Sequence, residues 1–384
     1  MRITLKKSFR LRIFQPIVPE YRVALFDGIA VRYSGNVDLY AADTFGQDVS
    51  YVLHNMPFDY SHPFLRIGPF SWQKGLSLEG LVRGDIIVVC GDVHQLSSLW
   101  IAFWAKLKGV KVVWWGHHKT ATSKPFGVWI RLQVAKLLSD IYLCYTDTGR
   151  KWLIAHGFDS KAVFATGNTI DQRPIKKAIS HWDATSINSW KASQGIKDKN
   201  IVLCCSVLRE KIRLDLAIQA LADEALRSRN VILAIIGDGP EKKKYEKLAK
   251  DIGVEGCIIW VGATRDQEVM APWFLSSRLF LYPGSIGLSI LHAFSYGLPV
   301  VTHGNANHQM PEFETMEDGR TGALFNEGDV DDMIEKISSL LDSPAKLSEM
   351  SVHVKQLAYE RYSMENMVNN YCNAVEAASR AGRM

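Results

Sequence analysis

One stretch of the sequence, PGSIGLSILHAFSYGLPVV, begins at Pro283 and restricts the chain to folds that contain parallel β-strands. An apolar strand, 279–282, precedes it, and a turn of small residues then leads into an apolar helix predicted over 288–296. Gly297 ends that helix, and a second strand follows at 299–301. Strands joined through a helix pair in parallel, so the pattern predicts a β-α-β unit.

The turn at residues 284–288 lies at the start of this predicted helix. The first backbone N–H groups of a helix have no partner within it, and the helix dipole adds positive potential at the same point. The turn therefore predicts a site for a negatively charged group, and the diphosphate of a nucleotide-activated compound suits it.

Apolar runs alternate with amphipathic, helix-length stretches along the whole chain, which predicts parallel sheets with helices packed on them. The predicted strands are 11–15, 37–41, 85–90, 111–115, 141–145, 163–166, 201–206, 231–236, 258–261, 279–282 and 299–301. The predicted helices are 21–32, 96–108, 126–138, 146–155, 213–222, 241–252, 267–276, 288–296 and a last one from Ser363 to about Ala378. Residues 168–200, between the two halves, are polar with no regular apolar period, and the hinge is expected there, near 171–177.

Length and composition narrow the class of protein. A chain of 384 residues suits two domains, and 47% hydrophobic with 22% charged residues is typical of soluble proteins. No apolar run reaches the roughly 18 to 20 residues that a membrane span needs, and the amino terminus lacks the apolar core of a secretory signal. A net charge of +5 without basic blocks, zinc-finger or RNP patterns gives no indication of nucleic-acid binding. Six cysteines without C-x-x-C spacing predict a reducing, cytoplasmic compartment.

The stretch after Pro283 resembles the donor-phosphate segment of family 4 glycosyltransferases. Gly287-Leu288 and the run from Ala293 to Val300 match the family pattern in place. The two glutamates of that pattern, eight residues apart, are replaced here by Gly284 and His292.

This resemblance implies the GT-B fold, an α/β architecture of two Rossmann-like domains with parallel sheets facing across a cleft. It implies an acceptor-binding domain at residues 1–172 and a nucleotide-sugar-binding domain at 173–361. A terminal helix in 362–384 is expected to pack back on the first domain.

Other segments of the second half match the same family. Residues 237–240, Gly-Asp-Gly-Pro, resemble its G-x-G-P turn, and residues 258–262 resemble its strand beside the nucleotide base. The resemblance assigns donor binding to Gly239, Val261, Gly262, Gly284, Ser285, Ile286, Gly287, Leu288 and His292.

His292 occupies a position at which the family places a ribose-binding glutamate. A neutral imidazole accepts one hydrogen bond, so donor binding is expected to weaken as the pH falls through a histidine pKa near 6.5. The alternative is that His292 is one more packed helix residue.

Three cations follow the first strand of the second half. The resemblance makes Arg209 and Lys211 the pair that binds the diphosphate and stabilises its growing charge, while an apparent one-residue insertion lets Arg213 replace either. The alternative is three solvated charges, although cations at a helix start oppose the dipole.

Candidate residues of the first half follow strand ends, where parallel sheets bind their ligands. The resemblance gives His117 a contact with the donor sugar or its phosphate, and a packing role is the alternative. It places Arg22, with Tyr21, at the head of a helix facing the cleft, and a structural ion pair is the alternative for Arg22. Asp92 and His94 are weaker candidates for acceptor contact.

Carboxylates and metal ligands are sparse in the matched segments. Pro311-Glu312 resembles a family Pro-Glu pair, and Glu314 is either a substitute carboxylate or part of a capped loop. No D-x-D, H-x-x-H or H-E-x-x-H pattern is present, so no metal and no cofactor is expected.

The sequence thus predicts a retaining, metal-independent glycosyltransferase that moves a sugar from a nucleotide-diphosphate donor to a glycan or lipid-linked acceptor. Such a reaction belongs to surface polysaccharide or glycoconjugate assembly. The alternatives are a catalytically silent GT-B protein that binds nucleotide or a partner, and a GT-B sugar-nucleotide epimerase.

Two segments combine tryptophan with cations, one from Trp100 to Lys108 and one around Trp129 and Arg131. Segments of this kind can lie on an anionic membrane face, which would make the protein peripheral on the cytoplasmic side. The alternative is a core helix with solvated lysines.

Overall fold

The structure is a computed structural model that describes residues 9–34, 36–42, 58–59, 62–118 and 125–381. Most of the amino-terminal segment from which a secretory signal was judged absent lies outside the described residues. Two compact units are present: Thr169–Ser363 forms the second unit, and the described residues before it, with those from Met364 onwards, form the first unit. These limits were expected from the sequence at residues 172 and 361.

The described residues form fifteen strands and fourteen α-helices. The strands are β1 Leu11–Phe14, β2 Val37–Tyr40, β3 Phe58–Asp59, β4 Phe64–Ile67, β5 Phe70–Gln73, β6 Ile86–Cys90, β7 Lys111–Trp115, β8 Ile141–Cys144, β9 Val163–Ala165, β10 Asn200–Cys205, β11 Val231–Ile236, β12 Ile258–Gly262, β13 Ser277–Tyr282, β14 Val300–His303 and β15 Gly322–Phe325. The helices are α1 Glu20–Tyr33, α2 Leu96–Leu107, α3 Pro125–Leu138, α4 Asp147–Ala155, α5 Arg173–Ser180, α6 Ala184–Ser193, α7 Leu214–Ala220, α8 Glu224–Arg227, α9 Lys242–Asp251, α10 Gln267–Ser276, α11 Ser289–Tyr296, α12 Val330–Leu341, α13 Pro344–Gln356 and α14 Met364–Arg380.

Each unit is built on one parallel sheet. The order is β3-β2-β1-β6-β7-β8-β9 in the first unit and β12-β11-β10-β13-β14-β15 in the second, while β4 and β5 form a separate antiparallel hairpin. In both sheets the chain runs from a central strand to one edge of the sheet. It then returns to the centre and forms the strands on the other side of that first strand. This is the strand order of Rossmann-like domains, and the reversal lies between β1 and β6 and between β10 and β13.

Buried aliphatic strands explain why the sheets are parallel. All six residues of β11 are buried, as are the first four of β6. A strand that is apolar on both faces must be covered twice, and helices on both sides of a parallel sheet provide that cover. This is the alternation of strands and helices that the sequence predicts.

The terminal helix α14 belongs to the first unit. Met367, Tyr371 and Val375 recur every four residues and are almost fully buried among residues of α1, β7 and β8. The Tyr371 ring meets the edge of Trp115 with the ring centroids 5.2 Å apart. An amphipathic stripe at this spacing buries one face of a helix, so α14 completes the core of the first unit.

Two helices, α5 and α6, lie in the segment 168–200, where no element was predicted. Helix α5 is only eight residues long, with its apolar residues Ile175, Ala178 and Ile179 on one face, and α6 buries none of its residues. A capping box between Asp183 and Ser186 marks the start of α6 instead. The hairpin β4–β5, strand β15 and helices α12 and α13 were not predicted either.

No helix among the described residues is long and apolar enough to cross a bilayer.

A pair of tyrosines tests how α14 is held. The Tyr371 hydroxyl is buried without a hydrogen-bond partner among the described residues, whereas the Tyr33 hydroxyl donates to the Cys372 carbonyl oxygen over 3.4 Å. Tyr371→Phe removes an unsatisfied group and should stabilise the protein by about 1 kcal/mol, while Tyr33→Phe should cost about as much. Urea unfolding measures both, and a destabilised Tyr371→Phe variant would contradict this account of the helix contact.

Candidate functional site

The candidate site of the second unit lies where its strand order reverses. In open parallel sheets, ligands bind beyond the carboxyl ends of the strands at such a reversal. The two strands that flank it are β10 and β13. The loop after β10 is residues 206–213, here called the cation loop, and the loop after β13 is residues 283–288, here called the glycine loop.

Backbone contact joins these two loops. The amide of Ser285 donates to the Lys211 carbonyl oxygen over 3.1 Å. A Cβ atom on Gly284 would lie well inside van der Waals contact of that same oxygen and of the backbone of Ile212. Any side chain at position 284 would therefore push the loops apart, so the position that the family gives to a glutamate is filled here by backbone.

Not every amide of the glycine loop is available to a ligand. Ser285 uses its N–H on Lys211, and the N–H of Ile286 donates to Oε1 of Gln309 over 2.7 Å. Within the described part of the chain, the amides of Gly287 and Leu288 donate to no acceptor. These two N–H groups precede α11 directly, so they and the helix dipole form the remaining anion-binding feature.

Gln309 is a functional candidate that the sequence analysis missed. Its Nε2 donates to Oγ1 of Thr302 over 3.1 Å and to the His303 carbonyl oxygen over 2.9 Å. The same side chain thus ties β14 to the glycine loop, and the Ser285 hydroxyl adds a hydrogen bond to the His308 carbonyl oxygen. The only sequence signal was its place just before Pro311-Glu312, because the contact depends on the folded loop.

The three candidate cations differ in their partners. Arg213 has a left-handed backbone with φ of 51°, and its guanidinium pairs with Asp215 over 3.1 Å. Arg209 and Lys211 are exposed, and neither forms an ion pair with a described residue. The turn Glu210–Ile212 is a 3₁₀ helix, which brings the backbone of Lys211 onto the glycine loop. The structure therefore favours Arg209 and Lys211 over Arg213 as the cations available to a ligand.

The turn at 237–239 lies next to the cation loop. A Cβ atom on Gly237 would collide with the Ser206 carbonyl oxygen, and one on Gly239 would collide with that of Leu208. The Leu208 amide donates to the Asp238 carbonyl oxygen over 2.9 Å. Both positions require glycine because the two backbones approach closely. Gly239 therefore contributes to the candidate site indirectly, by packing against the cation loop.

Val261 and Gly262 end the outermost strand of the sheet. The register between β11 and β12 pairs Ile235 with Trp260 but Ile236 with Gly262, so Val261 lies in a bulge. Three strand spacings separate β12 from β13, which is roughly 14 Å. Val261 is therefore well apart from the glycine loop on the same sheet edge.

His292 lies on α11 and faces α10. Its Nε2 is 3.0 Å from Oε1 of Gln267, which also accepts from the Tyr296 hydroxyl, so Nε2 carries the proton and Nδ1 is the acceptor nitrogen. Its ring packs on Phe274. Burial lowers the pKa of His292 to about 4, because the charged ring would lose its hydration. The ordinary value near 6.5 used in the sequence analysis is therefore wrong for this residue.

Glu312 brings a carboxylate to the glycine loop from another segment. It is buried in the 3₁₀ turn Pro311–Thr315, and its Oε2 lies 3.7 Å from the position that a Cβ atom on Gly287 would take. The sequence analysis weighed Glu314 as the substitute carboxylate. The structure places Glu312 beside the loop instead.

The first-unit candidates form a separate cluster around His117. Its ring lies 4.5 Å from the ring of Tyr145, and burial, with the charges of Arg22 and Arg131, lowers its pKa to about 4. A neutral imidazole has one donor and one acceptor nitrogen, which suits sugar hydroxyls better than phosphate.

Arg22 is buried in an aromatic cage. Its guanidinium lies 4.7 Å from the Trp115 ring, 5.1 Å from Tyr145 and 5.3 Å from the half-exposed Tyr21. Its Nη1 has no hydrogen-bond partner among the described residues, so the ion-pair alternative is not supported there. Cation–π contacts hold the charge instead.

Asp92 is already engaged. Its Oδ1 accepts from the backbone and the ring of His94, each over 2.9 Å, and both side chains are exposed. The predicted acceptor contact would have to use the other carboxylate oxygen.

The second unit is similar in sequence to known glycosyltransferases. Residues 186–361, which lie inside the second unit, match the family model described as Glycosyl transferases group 1. A GDP-mannose-dependent alpha-(1-6)-phosphatidylinositol monomannoside mannosyltransferase of Mycolicibacterium smegmatis is 26% identical over 178 residues, which is 44% of this chain and 45% of that protein. The N-acetyl-alpha-D-glucosaminyl L-malate synthase of Bacillus anthracis is 26% identical over 55% of this chain and 53% of its own length. The chain thus spans about half the length of these curated relatives.

Solved structures share the fold. HepE of Anabaena in complex with UDP has a TM-score of 0.70 at 13% identity, covering 96% of this chain and 100% of that one. The lipopolysaccharide outer core galactosyltransferase WaaB has a TM-score of 0.65 at 16% identity, covering 96% and 99%. The predicted GT-B-type fold of two Rossmann-like domains is confirmed, and the match to the Glycosyl transferases group 1 model lies within the second unit.

Proposed function

We propose that this protein is a glycosyltransferase that takes a sugar from a nucleotide-diphosphate donor and attaches it to a glycan or lipid-linked acceptor. The observation that carries the proposal is the contact between the cation loop and the glycine loop. It places Arg209 and Lys211 on the loop beside the two amides, Gly287 and Leu288, that have no acceptor among the described residues.

The diphosphate binds between these groups. Cleavage of the bond between the sugar and the diphosphate leaves negative charge on the leaving group, and fixed cations and amides stabilise that charge. A phosphate oxygen of the leaving group takes the proton of the acceptor hydroxyl, and the sugar keeps its anomeric configuration. Retention is supported by the resemblance of residues 283–301 to retaining family 4 enzymes.

The nucleoside lies along the same sheet edge, toward β12. The backbone of Val261, at the bulge, offers a donor and an acceptor for the edge of the base. His292 contributes by packing, and Nδ1 is its one acceptor nitrogen. His117 of the first unit binds a sugar hydroxyl as a neutral ring.

The relatives support a sugar-nucleotide donor without fixing its base. The Mycolicibacterium relative is named for GDP-mannose, and the HepE structures contain UDP, UDP with glucose or UDP-glucose. Thermal-shift assays with UDP-, GDP- and ADP-sugars identify the donor, because a ligand that binds only the folded protein raises its melting temperature. Release of nucleoside diphosphate then supports transfer, an epimerised sugar supports an epimerase, and binding without turnover supports a silent protein.

Removal of a cation tests the diphosphate site. Lys211→Ala should lower turnover roughly 100-fold, the scale of losing one electrostatic stabiliser, without lowering the melting temperature. Arg213→Gly is the matched control, since it removes the Asp215-paired charge and suits the left-handed backbone. Steady-state release of nucleoside diphosphate measures both. Full activity of the Arg209→Ala/Lys211→Ala variant would refute the assignment.

Two neighbouring glutamates test the carboxylate beside the glycine loop. If the carboxylate of Glu312 accepts a hydrogen bond from the donor, Glu312→Gln should lower kcat/KM about 10- to 100-fold, because a hydrogen bond to a charged group contributes about 1.5–3 kcal/mol. Glu314→Gln should change it less than threefold, roughly within 0.6 kcal/mol. Equal effects of the two substitutions would show that Glu312 has no special role.

The burial of His292 determines how its protonation affects donor affinity as the pH changes. Its lowered pKa of about 4 keeps the ring neutral above that pH, so donor affinity should lose nothing to this residue between pH 8 and 5.5. A ring with a pKa near 6.5 would be about nine-tenths protonated at pH 5.5. Nitrogen NMR titration, with the signal assigned by its loss in His292→Gln, measures the pKa directly. Titration near 6.5 would show that the ring is solvated.

A further inference from the structure

A second loop of the same unit holds the glycine loop. Residues 304–310 connect β14 to the 3₁₀ turn Pro311–Thr315 and are called the supporting loop here. Strand β14 pairs directly with β13, so its following loop begins one strand spacing, about 4.8 Å, from the glycine loop. Strand β10 lies on the opposite side of β13. The glycine loop therefore lies between the cation loop on one side and the supporting loop on the other.

Gln309 of the supporting loop connects two points of the glycine loop. Its Oε1 accepts from the Ile286 amide over 2.7 Å, and its Nε2 donates to Oγ1 of Thr302 over 3.1 Å. The hydroxyl of Thr302 donates in turn to the Gly284 carbonyl oxygen over 3.5 Å. Nε2 also donates to the His303 carbonyl oxygen over 2.9 Å. One side chain thus holds β14 and both ends of the segment 284–286 together.

Glu327, which follows β15, holds the supporting loop in turn. Asn305 Nδ2 and His308 Nδ1 lie 2.6 and 2.8 Å from its Oε2. The carbonyl oxygen of His308 accepts from the Ser285 hydroxyl, so this second connection also reaches the glycine loop. The side chains of His308 and Glu327 are 61% and 37% exposed, and exposed ion pairs contribute little. The hydrogen bonds of Gln309 are partly buried, which makes it the stronger connection.

These contacts determine which backbone groups of the glycine loop can bind an anion. The amide of Ile286 is engaged by Gln309, whereas the amides of Gly287 and Leu288 donate to no acceptor in the described parts of the chain. Glycine has many backbone conformations of similar energy, so a loop without support would direct these two amides in several ways. Only the conformation in which both point at the ligand binds it, and affinity scales with the population of that conformation.

We propose that Gln309 is a positioning residue that keeps the amides of Gly287 and Leu288 directed at the diphosphate of the donor. Both N–H groups of its side-chain amide are engaged by Thr302 and His303, so it acts through the loop and not on the ligand. A loop that is already ordered loses little entropy on binding, and its amides are in place when charge develops on the leaving group. This role rests on the proposed function, because the site is the same.

Binding of inorganic pyrophosphate to the full chain tests the role of Gln309. Gln309→Met keeps the length of the side chain and removes its amide. It should weaken pyrophosphate binding about tenfold, the scale of one hydrogen bond, in isothermal titration calorimetry at a temperature where the variant is folded. The control is Gln356→Met on α13, which removes a glutamine that donates to Glu360 and should bind as wild type does. A merely structural role would lower the melting temperature and leave the affinity of the folded protein unchanged.

A double-mutant cycle tests the connection through Thr302. Thr302→Val keeps a β-branched side chain in a buried strand and removes the hydroxyl, so it should fold even if Gln309→Met does not. Alone it should weaken pyrophosphate binding about threefold, since the bond to Ile286 remains. Because the two side chains act in one chain of hydrogen bonds, Gln309→Met/Thr302→Val should bind about as well as Gln309→Met. Additive losses would show that they act separately.

Amide hydrogen exchange tests the same geometry in the wild-type protein. The Ile286 amide should exchange slowly, because it is bonded to Gln309. The amides of Gly287 and Leu288 should exchange rapidly and become protected when pyrophosphate is added. Rapid exchange at Ile286 would contradict the role of Gln309.

Two further results would overturn the positioning role. They are unchanged pyrophosphate affinity in Gln309→Met and an equal loss in Gln356→Met. If Lys211→Ala weakens pyrophosphate binding and Gln309→Met does not, the positioning role fails while the proposed function stands. If the wild-type protein binds neither pyrophosphate nor any nucleotide sugar, both fail.

Discussion

The backbone contact between Gly284 and Lys211 sets the geometry of the candidate site. Two loops that follow neighbouring strands must come close at a strand-order reversal, and here they touch through main-chain atoms. A glycine is required because a Cβ atom would separate them. The hydrogen bond from the Ser285 amide then fixes their register. The ligand groups on both loops depend on this contact for their spacing.

The same contact changes which chemical groups the loops offer. The amides of Ser285 and Ile286 donate to Lys211 and Gln309, and Gln309 ties the glycine loop to β14. Glu312 brings a buried carboxylate near Gly287, although the family position for one at residue 284 is filled by backbone. Compared with the family pattern, the loop thus still has positive groups and a carboxylate beside it, but different residues supply them.

In the first unit, the buried side and the exposed side of helix α2 carry apolar residues of different size. Where α2 meets the sheet, alanine and serine allow close packing, and the tryptophans remain outside.

Around His117, burial and two neighbouring arginines keep the ring neutral, while Arg22 is held by aromatic faces rather than by a carboxylate. Interactions with π-systems thus stabilise charge in a core that has few polar partners.

The sequence by itself determined the parallel α/β class, most strand positions and the glycine-rich turn before α11, because apolar periodicity and glycine placement are local properties of the chain. It missed α5, which is only eight residues long, and α6, which buries none of its residues. It also missed the hairpin, whose strands show no alternation of buried and exposed side chains. Only the tertiary structure decided that Gly284 packs on Lys211, that Gln309 and Glu312 support the loop, and that burial shifts the pKa of His292. Those features arise from contacts between segments far apart in sequence, and no local pattern encodes the distance between them.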